Sequence, residues 1–146
     1  MLTKTITSNF QETRKLGEDF AHELRGGEVL ALYGDLGSGK TTFMQGLAKG
    51  LGITKNIISP TFIIMRTYQV ETGAQGLGIR TLYHLDLYRI ADEKQAEDLG
   101  LKELMEESEN IIAIEWPNKI ENMLPENRIN IYFEYLEDDK REIRIG

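Results

Sequence analysis

The chain has 146 residues, a length that suits a single domain with one core. Its hydrophobic fraction of 40% and charged fraction of 28% are typical of a soluble globular protein. The lack of cysteine excludes disulfides and cysteine-based metal sites or nucleophiles, and it is consistent with a reducing compartment. The formal net charge of −7 disfavours an unaided grip on a nucleic-acid backbone, which normally needs a clustered basic surface.

The apolar stretches of the chain are too short for a secretory signal or for the ~18 residues of a membrane-spanning helix. The first ten residues, for example, are Met-Leu-Thr-Lys-Thr-Ile-Thr-Ser-Asn-Phe. We therefore expect a cytoplasmic protein that does not associate with a membrane.

The first predicted elements are a short edge strand over residues 4–7 and a long helix. Ser8, followed three residues later by Gln11, matches a capping box and predicts that the helix begins there. Apolar and small residues then recur at helical spacing, at Phe10, Thr13, Leu16, Gly17, Phe20, Ala21 and Leu24. We interpret this stripe as the face that covers the core.

Residues 34–41 read Gly-Asp-Leu-Gly-Ser-Gly-Lys-Thr and fit the pattern G-x-x-x-x-G-K-[ST], the Walker A or P-loop signature. An apolar run of strand length, residues 28–33, precedes them, and a helical pattern over residues 42–51 follows. Glycines allow the backbone to approach a phosphate, and successive N–H groups at the start of the helix can bind the anion. The motif therefore predicts a nucleoside triphosphate site.

The side chains of this loop suggest individual roles. Lys40 brings a mobile positive charge to the β- and γ-phosphates, and Thr41 offers a hydroxyl to Mg²⁺. The other nucleotide-binding residues expected here are Leu36, Gly37, Ser38, Gly39 and Thr42. The start of the preceding helix could also flank the nucleotide base, which is the alternative to a purely core-covering role.

Thr61 follows Pro60, which restrains the local path of the chain. A threonine at this place could sense the γ-phosphate or Mg²⁺, but ordinary turn chemistry explains it nearly as well. Residues 62–70 are then predicted as a strand, residues 71–78 as a Gly-rich hairpin tip, and residues 79–85 as the returning strand.

Two carboxylates stand where predicted strands end. Asp86 follows residues 79–85, and Glu115 follows the continuous apolar run 111–114, which is typical of a central strand covered on both faces. Ligands collect at the carboxyl ends of strands in open α/β sheets, and a P-loop enzyme needs a carboxylate that reaches Mg²⁺. One of the two could support Mg²⁺ while the other positions the attacking water or senses the γ-phosphate; these residues alone leave both assignments open.

Two residues with aromatic rings, His84 and Trp116, are close to these carboxylates in the sequence. His84 is interpreted as a packed strand residue in preference to a base. Trp116 could stack near the site, although an aromatic residue at a strand end more often packs in the core.

The acidic segment 92–109 has apolar residues at helical spacing, and Gly100 is predicted to divide it into two short helices. Its charges could form a docking surface for a basic partner, although a solvated helical face is the commoner explanation. Residues 128–136 and 141–145 are predicted as two further strands around a turn.

Residues 118–121, Asn-Lys-Ile-Glu, resemble the guanine-specifying N-K-x-D of GTPases. Glutamate replaces the aspartate, however, and residues 86–89 lack the D-x-x-G of a GTPase switch. ATP is therefore the expected nucleotide.

Four blocks occur in order along the chain: Gly-Asp-Leu-Gly-Ser-Gly-Lys-Thr-Thr-Phe at 34–43, Ser-Pro-Thr-Phe at 59–62, His-Leu-Asp-Leu-Tyr-Arg at 84–89 and Glu-Trp-Pro at 115–117. Together they closely resemble the bacterial TsaE family (formerly YjeE), the small ATPase of tRNA threonylcarbamoyladenosine synthesis. The resemblance spans most of the chain. It implies a single P-loop ATPase domain over residues 1–146, with an α/β, P-loop NTPase-like three-layer fold and a central mixed, mostly parallel sheet.

The resemblance also implies a function. Such a protein would bind ATP and Mg²⁺, hydrolyse ATP slowly by itself, and drive the cycle of a partner complex of TsaB and TsaD. TsaD would transfer the threonylcarbamoyl group, and the tRNA would be met only indirectly. By analogy, Lys40 and Asp86 would be catalytic, with Asp86 near the γ-phosphate, and Thr41 and Glu115 would ligate Mg²⁺. The alternatives are a small-molecule kinase on the same loop and a nucleotide-gated interaction module without significant hydrolysis.

Overall fold

The computed structural model describes residues 2–35, 37–60, 64–71 and 78–146. Leu36, Thr61 and most of the predicted hairpin tip lie outside these ranges. The elements in chain order are β1 (Thr3–Thr7), α1 (Phe10–Ala21), β2 (Val29–Tyr33), α2 (Lys40–Gly50), β3 (Met65–Gln69), β4 (Thr81–Asp86), α3 (Glu93–Asp98), α4 (Leu101–Glu106), β5 (Asn110–Glu115), a 3₁₀ helix (Pro117–Met123), β6 (Ile129–Tyr135) and β7 (Arg141–Ile145). No helix among the described residues has the length and apolar character needed to cross a bilayer.

The strands of the described ranges form one sheet in the order β1-β7-β6-β2-β5-β4-β3. The four central strands β6, β2, β5 and β4 are parallel to one another. β3 and β7 are antiparallel to their central neighbours, and β1, antiparallel to β7, again points the way of the central strands. Five of the seven strands therefore share one direction, which confirms the predicted mixed, mostly parallel sheet.

The sheet is covered on both faces because its central strands are apolar on both faces. On β2, Leu30 and Leu32 belong to the core under α1 and α2. The alternate residues Val29 and Ala31 belong to a second core, which α3, α4 and the 3₁₀ helix cover. A continuous apolar run is what such a doubly covered parallel strand requires. The three-layer α/β architecture is thus confirmed.

The helix α1 begins one residue later than predicted. Asn9, not Ser8, is the N-cap, and its side chain accepts a hydrogen bond from the N–H of Glu12 at 2.9 Å. The Glu12 carboxylate in turn accepts the N–H of Ser8 at 2.9 Å. The capping box of Ser8 and Gln11 was therefore wrong: an overlapping Asn-x-x-Glu pattern lies one residue on, and its ionised carboxylate is the stronger acceptor.

The other predicted elements differ mainly at their ends. β3 begins at Met65, because the preceding Ile64 has a left-handed φ of 68° that no regular strand accommodates. Residues 62 and 63 of the predicted strand lie outside the described residues. Gly100, at a φ of 76°, separates α3 from α4 as predicted. The last two strands are confirmed as the antiparallel pair β6 and β7. Most acidic side chains of α3 and α4 are exposed, while Ala96 and Leu101 face the core.

Close contact between α1 and α2 depends on two glycines. A Cβ atom at Gly17 would overlap the carbonyl oxygen of Phe43, and one at Gly46 would overlap that of Arg14. Both obstacles are backbone atoms within helices, so neither can rotate away as the end of a side chain would. These glycines hold α2, and with it the loop that precedes it, against α1.

We expect Gly46→Ala to lower the free energy of unfolding by about 1–3 kcal/mol, the usual cost of overpacking. The loss should appear although alanine favours a helix by roughly 1 kcal/mol over glycine. Denaturant unfolding measures it, with the exposed Lys49→Ala on the same helix as the control. An unfolding midpoint at or above that of the control would show that the two helices can separate without cost.

Candidate nucleotide-binding site

A cleft of about 760 Å³ opens where β2, β4 and β5 end. Its wall combines the loop after β2, the first turn of α2, two strand ends, the start of α1 and the turn before β7. The lining residues are Asn9, Phe10, Thr13, Asp35, Gly37, Gly39, Lys40, Thr41, Thr42, Ser59, Asp86, Tyr88, Glu115, Trp116, Asp139 and Arg141.

The loop between β2 and α2 needs glycine at Gly34 for two reasons. Its φ of 151° lies in the region that side chains disfavour, and a Cβ atom would lie 2.7 Å from Ser38 Oγ and 2.8 Å from the carbonyl oxygen of Phe133. The chain can therefore leave the sheet sharply only without a side chain at this position.

The N-terminus of α2 fits an anion. Gly39 precedes the helix and offers no side-chain cap, although a helix leaves its first N–H groups without intrahelical partners. The hydroxyl of Ser38 is buried and makes no hydrogen bond within the described part of the chain. A phosphate group brings several acceptor oxygens and a negative charge, so it would satisfy both features.

Lys40 is the first residue of α2, and its side chain extends back across the loop. Its Nζ donates a hydrogen bond to the carbonyl oxygen of Gly34 at 2.5 Å and lies 3.5 Å from Glu115 Oε1. The same ammonium group lies 5.5 Å from the centre of the Trp116 ring. Lys40 is only 7% exposed, so its positive charge is directed into the cleft and not into bulk solvent.

Glu115 is the last residue of β5 and is 5% exposed. Burial by itself would raise the pKa of its carboxyl group. The hydrogen bond with His84 and the interactions with His84 and Lys40 outweigh burial, so the pKa of Glu115 lies below its ordinary value. The side chain is therefore a carboxylate at neutral pH, the form that can ligate a hard cation.

Asp86 is the last residue of β4 and lies directly opposite Glu115 in the parallel β4–β5 ladder. Its Oδ1 accepts the backbone N–H of Tyr88 at 2.9 Å, so the turn after the strand fixes the side chain. The two carboxylates that the sequence analysis proposed consequently stand side by side at one edge of the sheet.

The structure thus brings most predicted site residues to one cleft. Its lining includes Gly37, Gly39, Lys40, Thr41, Thr42, Asp86 and Glu115. Ser38 lies buried within the loop, and Leu36 and Thr61 lie outside the described residues. The roles assigned to these residues stay predictions, whereas their common location is a property of the fold.

Other lining residues were missed by the sequence analysis. Phe10 and Asn9 come from the start of α1, and Phe10 is 63% exposed despite its place in the predicted core stripe. Arg141 comes from β7, and its Cγ and Cδ lie 3.6 and 3.7 Å from where a Gly39 Cβ would be. The idea that α1 also flanks the site could have found Phe10, but no local signal marks Arg141, because only the sheet order brings β7 near this loop.

The two rings near the carboxylates have different places. Trp116 lines the cleft and has a left-handed φ of 60°. Its ring packs against that of Tyr88, with 5.0 Å between the ring centres. It is therefore part of the site wall as well as a packing residue. His84 is fully buried, as the interpretation of a packed strand residue expected.

A Gly-rich loop between a buried parallel strand and an uncapped helix, flanked by two strand-end carboxylates, defines the class of this protein: it is an α/β protein of the P-loop type. The family model described as "Threonylcarbamoyl adenosine biosynthesis protein TsaE" matches residues 7–143. The chain belongs to this TsaE family.

Individual relatives agree with this assignment. A Bacillus subtilis (strain 168) protein named tRNA threonylcarbamoyladenosine biosynthesis protein TsaE is 43% identical over 140 residues, which cover 96% of this chain and 82% of the relative. The protein of the same name from Treponema pallidum (strain Nichols) is 35% identical over 143 residues, with coverage of 98% and 99%. The crystal structure of Bacillus subtilis YdiB superimposes with a TM-score of 0.81 at 36% identity, covering 99% of this chain and 84% of that one.

Proposed function

We propose that this chain is an Mg²⁺-dependent ATP-binding and ATP-hydrolysing protein that serves threonylcarbamoyladenosine modification of tRNA. The observation that carries the proposal is the convergence of Lys40, Asp86 and Glu115 on the uncapped N-terminus of α2. The biological process comes from the family, since both relatives described above carry it in their names.

The phosphates of ATP would be held mainly by the loop and by α2. The first N–H groups of the helix and the hydroxyl of Ser38 supply donors, and Lys40 supplies a full positive charge. Because this part of the cleft is largely shielded from water, each such contact is stronger than it would be on an open surface.

Mg²⁺ would be held by few protein ligands. The described residues contain no group of three or more His, Asp or Glu side chains that could hold a metal by themselves. Mg²⁺ commonly binds one or two carboxylates, phosphate oxygens and water, so the Thr41 hydroxyl and Glu115 fit this need. When bound, the ion supplies neutralisation of the charge on the phosphate oxygens.

Asp86 would act on the water that attacks the γ-phosphorus. Its position beside Glu115, on the rim where the strands end, lets a carboxylate oxygen orient that water. The water oxygen then bonds to the γ-phosphorus while the bond between that phosphorus and the β–γ bridging oxygen breaks. The proton lost by the water passes to Asp86 and from there to the phosphate product, and ADP and phosphate are released.

Adenine is the proposed base because two side chains of the GTPase-like segment 118–121, those of Lys119 and Glu121, have partners within the protein. They lie in the 3₁₀ helix and are not among the residues that line the cleft. Lys119 donates to the carbonyl oxygen of Ile90 at 3.3 Å, and Glu121 accepts a hydrogen bond from Arg128 at 2.9 Å. These side chains therefore have structural partners in place of a guanine base.

ATP hydrolysis by this chain is proposed to drive the cycle of a partner complex of TsaB and TsaD. A net charge of −7 argues against a direct grip on tRNA, so the partners would hold the RNA. The exposed acidic residues of α3 and α4 offer a surface for a basic partner.

The test is phosphate release from ATP by the purified chain alone, with TsaB or TsaD separately, and with both, in parallel with tRNA modification. We expect slow release alone, faster release with both partners, and modification that requires the chain and ATP. Unchanged release in the presence of an active TsaB–TsaD pair would favour a nucleotide-gated interaction module. Steady phosphorylation of a small acceptor by the chain alone would favour a kinase.

A further inference from the structure

His84 is fully buried on β4 beneath the cleft and has no role in the assignments above. Its Nε2 lies 2.7 Å from Glu115 Oε2, and its Nδ1 has no hydrogen-bond partner within the described ranges. We propose that His84 is a positioning residue that fixes the carboxylate of Glu115 for Mg²⁺. The inference rests on the proposed function, because it concerns the residue assigned to the metal there.

The β4–β5 ladder explains how the two side chains meet. His84 lies opposite Ala113, and Asp86 lies opposite Glu115, so His84 and Glu115 are diagonal neighbours on one face of the sheet. Ala113 has a short side chain, and its large neighbours Ile112 and Ile114 belong to the core on the other face of the sheet. The small residue leaves the imidazole room to extend along the sheet to the strand end.

The chemistry of the two groups sets the direction of the hydrogen bond. An ionised carboxylate can only accept, so His84 donates from Nε2 to Oε2 of Glu115. That contact leaves Oε1 as the oxygen directed at Lys40 Nζ, 3.5 Å away, and at the cleft. Hydrogen bonds of this kind commonly orient the side chains that bind a metal.

Packing alone explains His84 less well. Its strand carries leucine at 82 and 85, and both are fully buried. Leucine at position 84 would fill the space without burying a ring nitrogen that lacks a partner, which is unfavourable. The polar ring is therefore explained by its Nε2 contact with Glu115.

The experiment compares nucleotide binding with and without Mg²⁺. Trp116 is the single tryptophan and lines the cleft, so its fluorescence can report binding of ADP and of a non-hydrolysable ATP analogue. The variants are His84→Leu, which removes the donor, and His84→Gln, whose side-chain amide can donate from a similar position. The control is His22→Gln, at an exposed histidine beyond the end of α1.

We expect His84→Leu to keep its Mg²⁺-free affinity within about twofold and to need roughly 10- to 100-fold more Mg²⁺ for half-maximal effect. His84→Gln should regain most of the Mg²⁺ response, and His22→Gln should match the wild type. A wild-type Mg²⁺ response in His84→Leu would overturn the inference, and so would an equal loss of affinity with and without Mg²⁺.

A second measurement does not depend on whether a variant at His84 folds. The chain has two histidines, so ¹⁵N spectra of the imidazoles can be assigned with His22→Gln. A ring proton on Nε2 of His84 supports the inference, and a neutral ring protonated on Nδ1 overturns it. If neither nucleotide changes the fluorescence of the wild type, the proposed function is contradicted, together with its Mg²⁺ site. The ¹⁵N spectra still show whether His84 donates a hydrogen bond to Glu115.

Discussion

Lys40→Ala is expected to bind ATP on the order of 100-fold or more weakly than the wild type. Hydrogen bonds to charged groups contribute about 1.5–3 kcal/mol each, and about 1.4 kcal/mol is a factor of ten in affinity. Lys40 is the charge that the fold directs into the cleft, where Gly34 and Glu115 already hold its Nζ. Calorimetric titration is the suitable measurement, since Trp116 lies close to Lys40 and its emission would change with the substitution itself.

The matched control is Lys49→Ala on the same helix. The Lys49 side chain is 69% exposed, and its Nζ lies 3.6 Å from the carboxylate of Glu18. Lys49→Ala should leave ATP affinity unchanged, because exposed ion pairs contribute little and neither Lys49 nor Glu18 is among the residues that line the cleft. ATP affinity in Lys40→Ala within about threefold of the control would contradict the P-loop assignment, provided that both variants remain folded.

Asp86→Ala is expected to reduce ATP turnover much more than ATP binding. A group that positions or deprotonates the attacking water contributes typically about 10²- to 10⁴-fold to a rate, so turnover should fall by at least ~100-fold. Binding should change only a few-fold, since the phosphates are held mainly by the loop and Lys40. Single-turnover phosphate release with TsaB and TsaD measures the first quantity, and calorimetry measures the second.

Asp86→Asn separates the charge of Asp86 from its structural contact. The asparagine oxygen can still accept the N–H of Tyr88, so the turn after β4 is kept while the negative charge is lost. We expect Asn and Ala to lose similar turnover. Equal loss of binding and turnover in both variants would show that Asp86 acts in holding the nucleotide and not in the reaction.

Much of this architecture could be predicted because its causes are local. The glycines and lysine of residues 34–41 predict a phosphate-binding loop, and the apolar run 111–114 predicts a strand covered on both faces. Gly100 divides α3 from α4 because few other residues adopt its left-handed φ without strain. The error at the start of α1 has a local cause too, since two overlapping capping patterns compete and only the folded chain shows which one is used.

The site required tertiary structure because its parts are distant in the chain. Lys40, Asp86 and Glu115 meet since β2, β4 and β5 run parallel and their carboxyl ends share one edge, which local periodicity cannot specify. The His84–Glu115 contact depends on the register that puts Ala113 opposite His84, and a shift of one residue would turn one of the partners to the other face. Arg141 reaches the loop only through the order of strands.

By itself, then, the sequence determined that this protein has a phosphate-binding loop on an α/β scaffold, and its four blocks pointed to the TsaE family. These properties depend on residue types within a few positions of one another, where backbone geometry and side-chain chemistry act directly. The tertiary structure alone decided which oxygen of Glu115 is held by His84, that Asp86 stands beside it, and that the start of α1 completes the wall. Those relations depend on strand pairing and helix packing between distant segments, whose register emerges only when the whole core is buried.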